Sequence, residues 1–168
     1  MNNSKWTITE LSGTGALSYV TAGILSFSHS SGTGSLTYSD PVADLRNTSS
    51  VTILTDYDGG SLGADGIIYA TDGTSNVELA KETADGINYV NLTLIRNSDN
   101  DKIWTSSVIA TDGIMAPQSW LVGQKDLSSL DFTKQISIKF EIAAGGSTAG
   151  AFKLDEIRWG GIWLSKFT

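Results

Sequence analysis

Apolar and polar residues alternate along most of this chain. The clearest case is Ile136, Ile138, Phe140 and Ile142, with Ser137, Lys139 and Glu141 between them pointing the other way. That is the period-two signature of a strand with one wet face. Less strict alternation recurs at Leu25 and Phe27, Leu36 and Tyr38, Val51 and Ile53, Val90, Leu92 and Leu94, and Val108 and Ala110, each of them strand-like. No window carries the 3.6-residue stripe of an amphipathic helix. Val77 to Ala84 alone is ambiguous, between one helical turn and a strand that ends in a turn.

Turn signals punctuate the strands. Asp-Gly pairs begin at Asp58, Asp65, Asp72, Asp85 and Asp112, and glycine there supplies positive φ at little steric cost. Most of the acidic residues are Asp, which places much of the negative charge in turns, where the side chain bonds its own backbone. The phrases Tyr69 to Gly73 and Ile109 to Gly113 echo one another and read as two similar hairpins. About nine or ten short strands with regular turns predict two sheets packed face to face, because one open sheet would leave an apolar face wet. The expected fold is all-β: a two-sheet antiparallel jelly-roll β-sandwich, with residues 1–168 as a single domain.

Composition narrows the partners. A chain of 168 residues can bury one core, and 18 Gly against 2 Pro suit short strands and tight turns. Eleven basic against 18 acidic residues give a net charge of −7, which repels phosphate backbones, so nucleic acid is not an expected partner. The apolar runs are far shorter than the roughly 20 residues that cross a bilayer, so no membrane insertion is expected. The polar start Met1 to Lys5 lacks the apolar core of a signal peptide. The absence of Cys removes disulfides, thiolate metal sites and thiol nucleophiles together. Stability then rests on a robust β core or on assembly with partners.

Several phrases in the second half form a pattern: Ser39-Asp40-Pro41-Val42-Ala43-Asp44-Leu45, the strand Val51 to Leu54, and a hairpin reaching Asn76-Val77-Glu78-Leu79-Ala80. Then come Trp120, Asp126-Leu127-Ser128, the strand Ile136 to Ile142, and Phe152-Lys153-Leu154-Asp155-Glu156-Ile157-Arg158-Trp159. Together they resemble the jelly-roll modules of bacterial surface proteins and glycoside-active enzymes, relatives in shape of galactose-binding-like and MAM-like domains. The resemblance spans residues 36–160, is specific in the closing strand, and departs from the pattern between Asn97 and Pro117. It implies a carbohydrate-binding or adhesive role. It also implies a closing strand that returns beside the first strand with the chain ends close together, and a structural calcium whose late ligand Asp155 resembles.

Candidate sites each have a plainer alternative. Asp56, Asp58 and Asp65 offer the hard oxygen ligands calcium takes, but Gly60 stands where an EF-hand needs its third ligand, so a simple turn competes. Asp99 and Asp101 invite the same idea. No cofactor is required, and structural calcium is the one candidate ion. Trp104 and Trp120 flank the departing segment, which reads as a long exposed loop, and could stack on sugar rings; a tryptophan in a sandwich also serves as core. The tail from Gly160 to Thr168 is apolar for a terminus. Ile162, Trp163, Leu164 and Phe167 are its candidate interface, either with another protein subunit (a capsid or a second copy) or packed back onto the sandwich.

Catalytic chemistry is sparse. His29 is the only histidine and has no acid beside it in sequence, which leaves no zinc set and no evident triad. Glu10, Glu78, Glu82, Glu141 and Glu156 all read as wet-face or turn residues rather than a glycosidase pair. The expectation is therefore a non-catalytic, displayed structural or adhesive protein on a virion surface, such as a phage capsid decoration or fibre component. The alternative is an extracellular carbohydrate-binding module of a secreted enzyme or adhesin; a small hydrolase ranks third.

Overall fold

The computed structural model describes residues 6–10, 15–21, 24–29, 33–38, 41, 43–58, 65–82, 90–110, 120–143 and 150–160. The strands are β1 (Trp6–Glu10), β2 (Gly15–Thr21), β3 (Ile24–His29), β4 (Thr33–Tyr38), β5 (Ser50–Asp58), β6 (Asp65–Thr71) and β7 (Asn76–Glu82). They continue with β8 (Val90–Arg96), β9 (Ile103–Ala110), β10 (Trp120–Leu121), β11 (Gly123–Asp126), β12 (Ser137–Ala143) and β13 (Gly150–Gly160). A 3-10 turn at Leu45–Asn47 is the only helical element among the described residues. Two antiparallel sheets result: six strands in the order β1-β4-β12-β6-β7-β10 and seven in the order β11-β9-β8-β5-β13-β3-β2. This is the two-sheet jelly-roll sandwich that the alternation predicts.

Alternation builds the core. Val51, Ile53, Thr55 and Tyr57 of β5 and Val90, Leu92 and Leu94 of β8 point inward and are buried. Facing them are Leu36, Ile68, Ala70, Ile138, Phe140 and Ile142 of the six-stranded sheet. Phe152 joins the layers, with its ring centroid 4.6 Å from Tyr57 and 5.4 Å from Phe140 in an edge-on arrangement. Removing this apolar surface from water is the main stabilising term.

Bulges on β7 and β13 reset the alternation. On β7 the pairs Ile68↔Ala80 and Tyr69↔Glu78 leave Leu79 as the extra residue, so Leu79 and Ala80 are both buried and everything after them changes face. On β13 the register shifts between Leu154 and Glu156. Phe152 and Leu154 therefore point inward before Asp155, and Ile157 and Trp159 pack on the core after it.

The 120–126 segment closes one side of the sandwich. β10 pairs with β7 in one sheet, and β11 pairs with β9 in the other. Ser106 pins this crossing: its hydroxyl donates to the Leu79 carbonyl at 2.7 Å and accepts from the Gly123 amide at 3.0 Å. At the far end two carboxylates organise the connections. Asp44 accepts from the amides of Arg46 and Ile136, at 3.0 and 3.2 Å, and from the Arg46 guanidinium. Asp72 accepts from the amides of Thr74, Ser75 and Asp131 at 2.7–2.8 Å, and Gly73 beside it takes φ +91°.

Several expectations are corrected here. The described residues alone hold thirteen strands rather than nine or ten, since short pairs such as β10 and β11 have no alternation to read. The closing strand lies between β5 and β3, while β1 pairs with β4 in the other sheet. Tyr38, the register partner of Trp6, stacks on Trp159 with 6.3 Å between ring centroids. Val77 to Glu82 is strand. Asp65-Gly66 forms no turn but opens β6, with Gly66 facing the Tyr57 ring.

Candidate functional site: the outward face of the six-stranded sheet

Side chains that alternate with the core positions of β12, β6 and β7 point out of the six-stranded sheet and form an ordered polar array. Register sets its rows. Lys139, Tyr69 and Glu78 are cross-strand neighbours, and the next row holds Glu141, Ile67 and Lys81. Thr37 and Ser35 on β4 extend the two rows.

This face is sheltered from solvent. Ile67 is 6% exposed and Ser35 4%, although both point away from the core; the side chains of Lys139 and Glu141 are only 15% and 14% exposed. On the outward face of the other sheet, Ile95 and Ile109 are 54% and 62% exposed. Outward charged residues this sheltered need partners, and they have them. Lys139 Nζ lies 3.4 Å from Glu141 and 5.1 Å from the centre of the Tyr69 ring. The Asn76 amide, oriented by its bond to Thr71 Oγ1, turns its oxygen to Lys139 at 3.1 Å. Lys81 pairs with Asp65 at 2.9 Å.

Electrostatics follow from this packing. Burial, the nearby Glu141 and Glu78 charges, and a hydrogen bond to Glu141 push the Tyr69 phenol up to about 12. It therefore stays protonated, and its hydroxyl donates to Glu141. The hydrogen bond to Asp65 raises Lys81 against the opposing effect of burial, with the Asp65 and Glu78 charges adding to it. The result is an apolar strip of Tyr69 and Ile67 flanked on both sides by carboxylates and ammonium groups held in place. Such a surface can bond hydroxyl groups in both senses and shelter a C–H face.

The residues expected from the sequence lie elsewhere. Trp104 and Trp120 are core residues, 1% and 7% exposed, and offer no open stacking face. Trp104 points inward from β9, its indole N–H donating to the Asp101 carbonyl at 3.2 Å, because Ile103–Ala110, within the segment read as a loop, is strand. Asp56 and Asp65 occupy different sheets and point to opposite outsides of the sandwich; Asp56 faces Lys153 at 3.9 Å and Asp65 faces Lys81. The side chain of Asp58 lies outside the described residues. Asp155 is the exposed bulge residue of β13. Asp99 and Asp101 border a turn in which Asn97 Oδ1 accepts from the Asp99 amide at 2.8 Å. Among the described residues no group of three potential ligands can hold a metal ion. Ile162, Trp163, Leu164 and Phe167 lie outside the described residues, as does His29's side chain.

Glu82 departs most from expectation: it is fully buried, opposite Gly66 and Trp120, because the Leu79 bulge turns it inward. Lys81 points outward for the same reason. The face itself was half visible, since Lys139 and Glu141 stand out as the wet side of the most regular strand.

No protein-family model matches the chain, and no curated protein matches it. Solved structures do. A structure from a study of endo-acting O-glycanases expressed by human gut microbiota superposes with a TM-score of 0.58 and 9% identity, covering 94% of this chain and 92% of that one. The legume lectin-like domain from Entamoeba histolytica gives 0.54 and 7%, covering 93% and 89%. The exoplasmic/lumenal domain of VIP36, in its Ca2+/Man3GlcNAc-bound form, gives 0.51 and 8%, covering 89% and 83%. At these identities the likeness establishes architecture: the chain is similar in fold to legume lectin-like carbohydrate-recognition domains, as a jelly-roll β-sandwich.

Proposed function

We propose that the chain is a non-catalytic glycan-binding module, acting outside the cytoplasm, whose binding surface is the outward face of the six-stranded sheet. The observation that carries this reading is the ordered outward array around Tyr69 and Ile67, formed by Lys139, Glu141, Glu78 and Lys81. Sugars present hydroxyl groups that donate and accept, together with patches of apolar C–H; fixed carboxylates, fixed ammonium groups and an aromatic strip match all three. The fold adds support, because the solved structures it is similar to include a domain bound to Man3GlcNAc and a lectin-like domain. This is the carbohydrate-binding alternative read from the sequence, which the lectin-like folds favour over the virion-surface reading, with a cell-surface or secreted glycan as partner.

A glycan array probed with the labelled chain, beside Tyr69→Ala and Glu141→Ala, tests the reading. The expected result is binding to at least one glycan that both substitutions abolish while the far-ultraviolet circular dichroism stays unchanged. Binding equal to background on every glycan, or binding that both variants retain in full, overturns it.

A further inference from the structure

We infer that this face selects uncharged glycans over acidic ones, an inference that rests on the glycan-binding reading above. The charges are arranged as a checkerboard. In one row the cation Lys139 and the anion Glu78 flank Tyr69; in the next, the anion Glu141 and the cation Lys81 flank Ile67. The two signs exchange sides across a central apolar strip. Adjacent strands are about 4.8 Å apart, so the three strands span about 10 Å. A ligand lying over β6 meets both signs at both flanks.

Each ammonium is also already engaged. Lys139 is shared between Glu141 at 3.4 Å and the Asn76 amide oxygen at 3.1 Å, and Lys81 is held by Asp65 at 2.9 Å. A sulfate or uronate needs cationic donors free to receive it. Here it would have to displace an existing carboxylate from a sheltered ion pair and then sit beside Glu141, Glu78 and Asp65. The two lysines are outnumbered by these three carboxylates, and the chain as a whole carries −7, so the longer-range field also opposes an anion.

An uncharged pyranose meets no such cost. Its hydroxyls donate to carboxylates and accept from ammonium protons, and each such bond is charge-assisted, roughly twice as strong as a neutral one. The pairing that repels an anion holds Glu141 and Asp65 in place, so little ordering of these two remains to be done when the sugar arrives.

The test measures binding of the full chain to neutral polysaccharides (mannan, galactan, β-1,3-glucan) and acidic ones (heparin, chondroitin sulfate, polygalacturonate) by biolayer interferometry, at low and high salt. The expected outcome is binding to a neutral polymer that changes little with salt, no binding to the acidic set, and loss by about tenfold or more in Glu78→Ala and Lys81→Met at unchanged melting temperature, a factor that corresponds to about 1.4 kcal/mol. Acidic polymers bound more tightly than neutral ones, with affinity that collapses at high salt, would overturn the selection while leaving glycan recognition standing. Neutral binding that both substitutions leave intact overturns it too, by moving the site. Silence from every polymer defeats the glycan reading itself, and the inference with it.

Discussion

Replacing Gly66 by alanine puts the described packing to a quantitative test. Gly66 faces the interior from β6, and a Cβ built on it stands 2.6–2.7 Å from the Cγ, Cδ1 and Cδ2 atoms of Tyr57. Non-bonded carbons prefer about 3.5–4.0 Å, so the ring or the strand must give way by about 1 Å. Neither has room: Tyr57 is fully buried with Phe152 against it at 4.6 Å between centroids, and Gly66 is locked between β12 and β7. Overpacking of this kind costs about 1–3 kcal/mol. For a chain of this length each kcal/mol moves the melting temperature by roughly 2–4 °C, so Gly66→Ala should melt about 2–12 °C lower. Differential scanning calorimetry is the assay, and the double variant Gly66→Ala with Tyr57→Leu supplies the control. If the methyl group and the ring compete for one space, the double variant loses less than the sum of the singles. An unshifted melting temperature for Gly66→Ala, or strict additivity, would refute the inward placement of Gly66.

Other outcomes follow from the same contacts. Ser106→Ala removes the hydroxyl that bonds Leu79 and Gly123 and leaves a part-buried amide short of an acceptor, so the urea midpoint should fall by an amount equivalent to about 1–3 kcal/mol; an unchanged midpoint would count against the pinned crossing. The amides of Ser75, Asp131 and Thr74 hold the Asp72 carboxyl at about 2, below its usual 3.8. A depressed carboxyl contributes stability that is present above the ordinary value and lost as pH falls through the folded one, so the melting-temperature gap between the native chain and Asp72→Ala should shrink between about pH 4 and pH 2, and a gap constant with pH would contradict this. Asp56 and Asp65 face lysines on opposite sides of the sandwich, so EDTA and added calcium should each leave the melting temperature unmoved; a rise of several degrees with calcium would show that a site has been missed. Alkaline titration followed by tyrosine absorbance should show a late phase near pH 12 that Tyr69→Phe removes.

The sequence revealed architecture better than surface. Strict alternation at Ile136, Ile138, Phe140 and Ile142 named β12, its inward face and, by subtraction, Lys139 and Glu141. What it hid was parity after a bulge. Val77 and Leu79 read as one face, which would send Lys81 inward and Glu82 out; the extra residue Leu79 inverts both. No propensity marks Leu79 as that residue, because a bulge is set by the partner strand. The tryptophans misled for a related reason. Trp104 belongs to the segment that departs from the family pattern and reads as a long exposed loop, yet Ile103–Ala110 is strand, with Thr105 and Ser107 on its wet face while Trp104 fills the core. The binding face needed register: Tyr69, Glu78, Lys81, Lys139 and Glu141 come from three strands, and only the pairing of β12, β6 and β7 places them in two rows.

The central claim is that this one face binds sugar, and amide chemical-shift mapping of the isotope-labelled chain, titrated with the neutral polysaccharide fragment that binds best, tests it most directly. The account predicts saturable shifts confined to Ser35, Ile67, Tyr69, Glu78, Lys81, Lys139, Glu141 and their immediate neighbours. Shifts centred on Thr52, Thr93 and Ser107, on the outward face of the seven-stranded sheet, would contradict it.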